Sequence, residues 1–241
     1  MNSVLKTQTY VAKGNAPWFN SNWFDIDKVI SMNRSDSGAT VVCNNNVIDM
    51  AYMFYECHKL TTIDLSNFDT SNVKNMHEMF GRCSSLTSLD LSNFNTSNVK
   101  DMGYMFESCF DLIKLDLSNF DTSNVDNMKY MFFCCSLTSL DLSNFDTSKV
   151  TNMNEMFEGC NKLATLDISN FDTSKVKDMQ DMFGNCSSLT TIKGIIDMRS
   201  CKYYGNMFDR CPRLTGVKIK NPPVDFERKS RLSKSQYTIV S

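Results

Sequence analysis

The stretch SLTSLDLSNFNTSNVKDMGYMF at residues 85–106 decides the fold, because close copies of it return about every 26 residues from Met53 to Leu214. A repeat period of this length is typical of proteins built from stacked, nearly identical units. Two columns of single residue types set the register. The phenylalanine column is Phe68, Phe94, Phe120, Phe145 and Phe171, and the cysteine column is Cys57, Cys83, Cys109, Cys135, Cys160, Cys186 and Cys211.

Each unit combines two kinds of periodicity. In Val73–Cys83 the apolar residues lie three, three, one and three positions apart, which is the spacing of one face of a short α or 3₁₀ helix. In Leu86–Leu91 apolar and polar residues come to alternate, as in a short strand. We therefore predict an α/β repeat fold, a right-handed, leucine-rich-repeat-like solenoid of about seven coils of 25 or 26 residues with terminal caps.

The apolar columns predict how the units pack. One strand–helix unit cannot bury its apolar side alone, so neighbouring units are expected to cover the Leu, Phe, Met, Val and Cys columns. Because seven of the ten cysteines recur once per unit, we expect buried free thiols rather than disulfides. Cys43 and Cys134 stand outside this column, and Cys134 is predicted to be the more exposed thiol.

The segment SNFDTSNV joins the two halves of a unit and is rich in turn-forming residues. Its aspartates are predicted to cap the bend rather than to bind a ligand. They are Asp69, Asp121, Asp146 and Asp172, and Asn95 takes the same position in one unit. A threonine follows each of them, and a regular threonine face would suggest ice or mineral recognition, but the charged neighbours disfavour that function. These threonines are Thr70, Thr96, Thr122, Thr147 and Thr173.

Three segments follow from where the repeat begins and ends. Residues 1–46 contain both tryptophans but no repeat, and we predict that they form an N-terminal cap. Residues 47–220 are the predicted solenoid. The two prolines that follow end the pattern, so residues 221–241 are predicted to be a C-terminal cap or tail. Within it Tyr237–Val240 resembles a strand, which we expect to pair with the end of its own repeat array.

Composition excludes several classes of function. The chain has 241 residues and a formal net charge of -2, so it lacks the overall basic charge of nucleic-acid-binding domains. No apolar run is long enough to span a bilayer. The first residues lack the apolar core of a secretory signal. We therefore expect a cytoplasmic or virion location for the chain as written, and a cell-surface location if a leader has been removed.

The unit MFxxCxxLxxLDLSNFDTSNVxxM closely resembles the BspA-like leucine-rich repeat in its DUF285 form, which occurs in many bacterial surface proteins and in some phage or prophage genes. The resemblance covers about residues 47–220. Near-perfect strand–turn copies begin at Leu60, Leu86, Leu112, Leu137 and Leu163. The resemblance implies a noncatalytic binding role, often in adhesion or host contact, with no standard active-site residues and no cofactor.

One departure from the general leucine-rich pattern concerns the asparagine that usually forms a buried ladder. Phe94 occupies the position at which the common repeat has Asn or Cys, and Asn93 comes one residue early. We therefore expect a spine of phenylalanines in place of the asparagine ladder.

The candidate binding site is a row of aspartates at outward strand positions, which we call the acidic ladder: Asp64, Asp90, Asp116, Asp141 and Asp167. On one side it is flanked by Thr62, Ser88, Lys114, Ser139 and Thr165. We predict that this strip binds a protein or glycan. Two alternatives are a merely solvated face that resists aggregation and a Ca²⁺ site, although calcium needs six to eight converging oxygens.

Catalytic and metal chemistry has little support in the sequence. The only histidines are His58 and His77, and a zinc site with Cys57 and Cys83 is disfavoured because those cysteines belong to the column shared by every unit. No nucleophile elbow, phosphate-binding glycine loop or HExxH motif occurs. We predict a protein that is not an enzyme and has no cofactor: an adhesion-type recognition protein or, alternatively, a structural, virion-associated component that makes contacts through its caps.

Overall fold

The computed structural model describes the backbone of residues 7–13, 29–35 and 38–44, and residues 47–66 and 68–241 with their side chains. The tryptophans on which the predicted N-terminal cap depends, Trp18 and Trp23, lie outside these ranges. The boundaries of the two caps stay predictions.

A four-stranded sheet joins the N-terminal segment to the first repeat unit. Its strands are β1 (Thr7–Lys13), β2 (Val29–Ser35), β3 (Gly38–Asn44) and β4 (Thr62–Asp64). The strand order is β2-β3-β1-β4, and the described pairs are antiparallel. In the β1–β4 pair Ala12 lies opposite Ile63, so the N-terminal strands continue directly onto the strand half of the first unit.

The C-terminal part of the chain contains short parallel strands and one short helix. The elements are β5 (Thr165–Asp167), β6 (Thr191–Lys193), β7 (Ile195–Asp197), β8 (Val217–Lys220), α1 (Phe226–Ser230) and β9 (Tyr237–Val240). Strands β5 and β6 pair in parallel, and β7, β8 and β9 form a second parallel sheet. Tyr237 of β9 lies opposite Val217 of β8, which confirms that the last strand pairs within its own chain.

The prediction of a helix in each unit is wrong, because Val73–Cys83 and its copies form successive tight turns. Within a turn an N–H donates to the carbonyl three residues earlier, as from Met79 to Met76 at 3.2 Å. A residue with left-handed φ then redirects the chain, which a right-handed helix does not allow. These residues recur in pairs: Tyr52 and Glu56, Glu78 and Arg82, Tyr104 and Ser108, Tyr130 and Cys134, Glu155 and Gly159, Asp181 and Asn185, and Asn206 and Arg210.

The same segments join neighbouring units through the backbone. The N–H of Met76 donates to the Asp101 carbonyl at 2.9 Å, and the N–H of Glu78 donates to the Gly103 carbonyl at 2.9 Å. Because the next unit satisfies these polar groups, each unit depends on its neighbour. The row of parallel bridges passes through Asp49, Asn75, Asp101, Asn127, Asn152, Asp178 and Tyr203.

The strand half of the unit is only partly a strand. It is regular in β4, β5 and β6, whereas Leu86–Leu91 makes only isolated backbone contacts with the preceding unit, such as the bond from the Thr87 N–H to the Thr61 carbonyl at 3.0 Å. Across its described residues the chain is therefore a repeat protein poor in strands and with little helix. Its described residues contain no closed sheet.

The predicted apolar columns form one continuous core. Val73, Met76 and Phe80 are fully buried, as are their equivalents in the next four units. The phenylalanine rings of successive units stack nearly parallel, with centroids 5.4 Å apart at the first pair and 5.9 Å at the second. This stack consists of Phe54, Phe80, Phe106, Phe132, Phe157, Phe183 and Phe208.

The described cysteines are free thiols, as predicted, and the repeated column is buried. Each thiol of the column from the second unit onward donates a hydrogen bond to a phenylalanine carbonyl of the preceding unit, as from Cys83 Sγ to the Phe54 carbonyl at 3.0 Å. Burial raises the pKa of Cys109 to about 12, which keeps this thiol protonated. Cys134 is half-buried, and the side chain of Cys43 lies outside the described residues.

The asparagines do not form the usual buried ladder, since Asn93 and its equivalents are exposed, but they make a regular series of hydrogen bonds to the preceding unit. Asn93 Nδ2 donates to the carbonyls of Leu65 at 2.8 Å and Phe68 at 3.0 Å in the preceding unit. The one-residue shift places the amide at the turn, where it still reaches these carbonyls. The predicted phenylalanine spine accompanies this series, with Phe68 and Phe94 stacked at 5.6 Å. The other asparagines of the series are Asn119, Asn144 and Asn170.

The threonine column is buried, so it presents no face to ice or mineral. Thr96 Oγ1 donates to the Asp121 carbonyl at 2.9 Å and accepts the Asp121 N–H at 2.8 Å. A single hydroxyl thereby satisfies two backbone groups of the next unit.

Candidate functional site

All the residues of the predicted binding strip are exposed. In β4 and β5 the aspartate and the threonine two residues before it are exposed, and the residue between them is buried. This alternation is that of an extended chain with one face on the core. The acidic ladder therefore lies on the surface together with its flanking hydroxyl groups.

Each ladder carboxylate is held in a fixed orientation by the turn that follows it. Asp90 Oδ1 accepts the N–H of Ser92 at 2.9 Å, and Asp116 Oδ1 accepts that of Ser118 at 2.9 Å. The hydrogen bonds from Ser92 lower the pKa of Asp90, whereas the neighbouring charges of Asp116 and Asp64 act weakly in the opposite direction. The same bond occurs at the other ladder positions, Asp64, Asp141 and Asp167.

The ladder ends at a lysine. Lys193 of β6 pairs with Asp167 of β5 in the parallel register, and its Nζ lies 3.6 Å from Asp167 Oδ2. The acidic ladder thus extends over five units and is bounded at one end by a positive charge.

A second surface, which the sequence analysis did not identify, contains ring side chains on the turns. His77 packs edge-on against Tyr52 at 5.5 Å and Tyr104 at 5.3 Å, and Tyr104 stacks on Tyr130 at 4.3 Å. We call these residues the tyrosine strip. The signal in the sequence was that the three tyrosines occupy one repeat position, five residues before the cysteine of their unit. In the structure this is the first left-handed position of each unit.

Carboxylates alongside the tyrosine strip have perturbed pKa values. The pKa of Glu155 is raised to about 7 by burial and by the nearby Glu158, although a hydrogen bond from the Tyr130 hydroxyl acts in the opposite direction. His77 is itself partly buried, which lowers its pKa, but Asp101 at 3.3 Å and Glu78 at 3.5 Å outweigh burial and raise it to about 9. His77 is therefore a cation held between two acids at neutral pH.

The imagined zinc site is not assembled. His77 pairs with Asp101, Cys83 donates its thiol hydrogen to a backbone carbonyl, and His58 lies exposed. Among the described residues no group of three or more His, Cys, Asp or Glu side chains is arranged to hold a metal ion.

The repeated unit, its buried columns and its backbone bridges define a class of stacked repeat proteins. A family model described as a Mycoplasma protein of unknown function, DUF285, matches residues 36–136 and again residues 108–220. The chain belongs to the DUF285 family.

The remaining comparisons add no relative. No curated protein and no solved structure matches the chain. In the part of the chain that the structure describes, no helix is both long enough and apolar enough to cross a membrane.

Proposed function

We propose that this chain is a noncatalytic recognition protein of the BspA-like leucine-rich kind, in which the stacked units form a right-handed solenoid and the acidic ladder contacts a protein or glycan. The observation that carries the proposal is the row of exposed aspartates, each oriented by a backbone N–H at 2.9 to 3.0 Å. Carboxylates fixed in this way are pre-organised acceptors, so a partner that binds them loses little additional side-chain freedom.

The spacing of the ladder favours an extended partner. Neighbouring strands lie about 4.8 Å apart, and two unit charges at about 5 Å repel by roughly 0.8 kcal/mol even at the dielectric constant of water. A partner whose cationic groups or hydroxyls repeat along its length relieves this repulsion. Both a basic protein segment and a polyhydroxylated glycan meet this requirement.

The test removes the ladder charges while keeping the turns. The variant D90N/D116N/D141N preserves the side-chain acceptor, because Asn95 already holds an equivalent turn by accepting the Ser97 N–H at 3.1 Å. The matched control D69N/D121N/D146N removes three exposed charges from the neighbouring turn column, where each aspartate accepts the same kind of bond.

The wild-type chain and both variants are immobilised to capture proteins from the native source. The same three proteins in solution are also applied to a printed glycan array. The proposal expects a specific set of ligands that the wild type and the control retain and that the ladder variant loses. Identical ligand sets for all three proteins would contradict it.

A structural role with contacts through the ends of the stack is the second candidate. It is favoured by β9, which lies at the outer edge of its sheet with the Ile239 side chain 64% exposed. Such an edge can pair with another chain. Concentration-dependent self-association of the wild type in analytical ultracentrifugation, lost in I239K, would support this role, and a monomeric wild type at every concentration would contradict it.

A further inference from the structure

A basic groove of about 590 Å³ opens on the C-terminal half of the repeat array. Four of its lining residues are cations, and none is acidic. Its charged and hydroxyl-bearing lining residues are Thr151, Lys175, Lys177, Arg199, Ser200 and Lys202. The net charge of the chain, -2, conceals this local concentration of positive charge.

Three of the four cations of the groove come from two columns of the repeat, and the fourth is Arg199. The first column holds asparagine in the early units and lysine later, at Lys149 and Lys175. The second contains Lys177 and Lys202, which the backbone places in adjacent units, since the Lys202 N–H donates to the Lys177 carbonyl at 2.8 Å. Positive charges therefore recur at the spacing of the units, about 4.8 Å for paired strands.

The charges of the groove are only partly neutralised. Arg199 Nε donates to Asp197 Oδ2 at 2.9 Å, and Lys175 Nζ donates to the Ser148 carbonyl at 2.8 Å. The ammonium groups of Lys177 and Lys202, by contrast, have no hydrogen bond or ion pair with any residue that the structure describes. These two lysines are available to an external anion.

A groove on the same face in the N-terminal half provides an internal comparison. It measures about 360 Å³ and is lined by Ile48, Asn72, Lys74 and Asn98, so its lining carries one cation. The two grooves use the same columns of the repeat. The C-terminal groove is the more basic because Lys175 replaces an asparagine of the first column, two lysines of the second column, Lys177 and Lys202, line it together, and Arg199 adds a fourth cation.

We propose that the basic groove binds an anionic polysaccharide, a glycan chain that bears sulfate or carboxylate groups. Cations in two parallel columns suit a linear polymer better than a single small anion, and the hydroxyls of Thr151 and Ser200 add hydrogen-bonding groups for sugar. The lining contains no aromatic ring, whereas single-stranded nucleic acid is held largely by stacking of its bases on such rings. The proposal concerns a different surface from the acidic ladder and does not depend on it.

The probe is heparin, a sulfated polysaccharide, titrated calorimetrically into the full chain at low ionic strength. We expect binding that weakens as salt is added, because association releases counterions. The variant K177E/K202E is expected to bind about tenfold more weakly or worse, since two attractions become repulsions. The variant K177R/K202R keeps the charges and is expected to bind like the wild type.

The matched control K74E/K100E makes the same change of charge in the same column at the N-terminal units, and we expect it to bind heparin nearly as the wild type does. Thermal melts of all variants verify folding. The proposal is overturned if K177E/K202E binds as tightly as the wild type, if the control loses affinity equally, or if neutral dextran binds as well as heparin. Tighter binding of single-stranded DNA than of heparin would reassign the groove to nucleic acid.

Discussion

At the residue scale, the buried threonines show how one side chain can join two units. Thr122 is 1% exposed, and its hydroxyl donates to the Asp146 carbonyl at 2.9 Å while accepting the Asp146 N–H at 2.8 Å. In the sequence the regular recurrence of these threonines suggested an outward face, although the charged neighbours disfavoured ice or mineral recognition. Periodicity showed that the column exists, but it did not reveal that its hydroxyls serve the neighbouring backbone.

The variant T122V tests this role of the hydroxyl. Valine fills the same space but leaves two backbone groups of Asp146 without partners, so we expect a loss of about 1–3 kcal/mol in the free energy of unfolding. Urea denaturation measures it. In the control T165V the replaced side chain is exposed in β5, and the change should remain within about 0.5 kcal/mol. Equal effects of the two substitutions would contradict the proposed contact.

Glu155 gives the stability a pH dependence. Its folded pKa of about 7 lies above the ordinary value of 4.5, so the folded state binds more protons than the unfolded state between these values, and this contribution to stability falls as pH rises from about 4.5 to 7. In E155Q the Tyr130 hydroxyl keeps an acceptor. We expect the melting temperature of E155Q to exceed that of the wild type more at pH 8 than at pH 5, and an unchanged difference would contradict this assignment.

At the element scale, the turns rather than helices determine the shape of each unit. Apolar spacings of three and four fit a helix face, but they fit successive three-residue turns equally well. Glycine, the residue that usually marks a left-handed position in a sequence, is nearly absent from these positions. In the seven described units only Gly159 occupies one of them. The sequence therefore predicted the buried face of this segment correctly and its backbone wrongly.

Glycine substitution at a left-handed position distinguishes the turn structure from a helix, because it changes the free energy of unfolding in opposite directions in the two. Ser108 has φ of 56°, a conformation that costs an L-residue roughly 1–2 kcal/mol. We expect S108G to raise the free energy of unfolding, whereas glycine within a helix would lower it by about 1 kcal/mol. Chemical denaturation measures the sign, and destabilisation would contradict the turn structure.

The reverse substitution G159A serves as the control. Gly159 has φ of +74°, and an added Cβ would lie 2.7 Å from Cys134 Sγ. We expect G159A to be clearly destabilised. If the free energy of unfolding of G159A equalled that of the wild type, the left-handed, closely packed backbone at this position would be contradicted.

At the scale of the whole molecule, the repeat places negative and positive charges on separate surfaces, and the net charge of -2 conceals this separation. The acidic ladder could be predicted from the sequence, because its aspartates recur at one strand position in five successive units. The basic groove was missed because its cations recur less regularly. Lys175 lies in a column of mainly asparagine, and Arg199 lies in a column of serines. The column of Lys177 and Lys202 is interrupted by Asp126 and Thr151. Only the backbone pairing of adjacent units shows that Lys177 and Lys202 share one surface.

Stacking of equivalent units predicts that one whole period can be removed. Deletion of residues 92–117 joins Leu91 to Ser118 and restores the unit sequence at the junction. We expect a folded protein with one cooperative but lower thermal transition, because each unit contacts only its neighbours. Deletion of residues 92–104 removes half a period and should abolish folding, and equal behaviour of the two deletions in circular dichroism would contradict the stacking.

The central claim is that alternate amides of each turn segment donate to carbonyls of the next unit rather than to carbonyls four residues earlier, as they would in a helix. Scalar couplings across hydrogen bonds, measured by NMR in isotopically labelled protein, identify the acceptor of each amide. The structure predicts a coupling from the Met76 nitrogen to the Asp101 carbonyl carbon and another from Glu78 to Gly103. Couplings from these amides to carbonyls four residues earlier would show helices instead and would contradict the account.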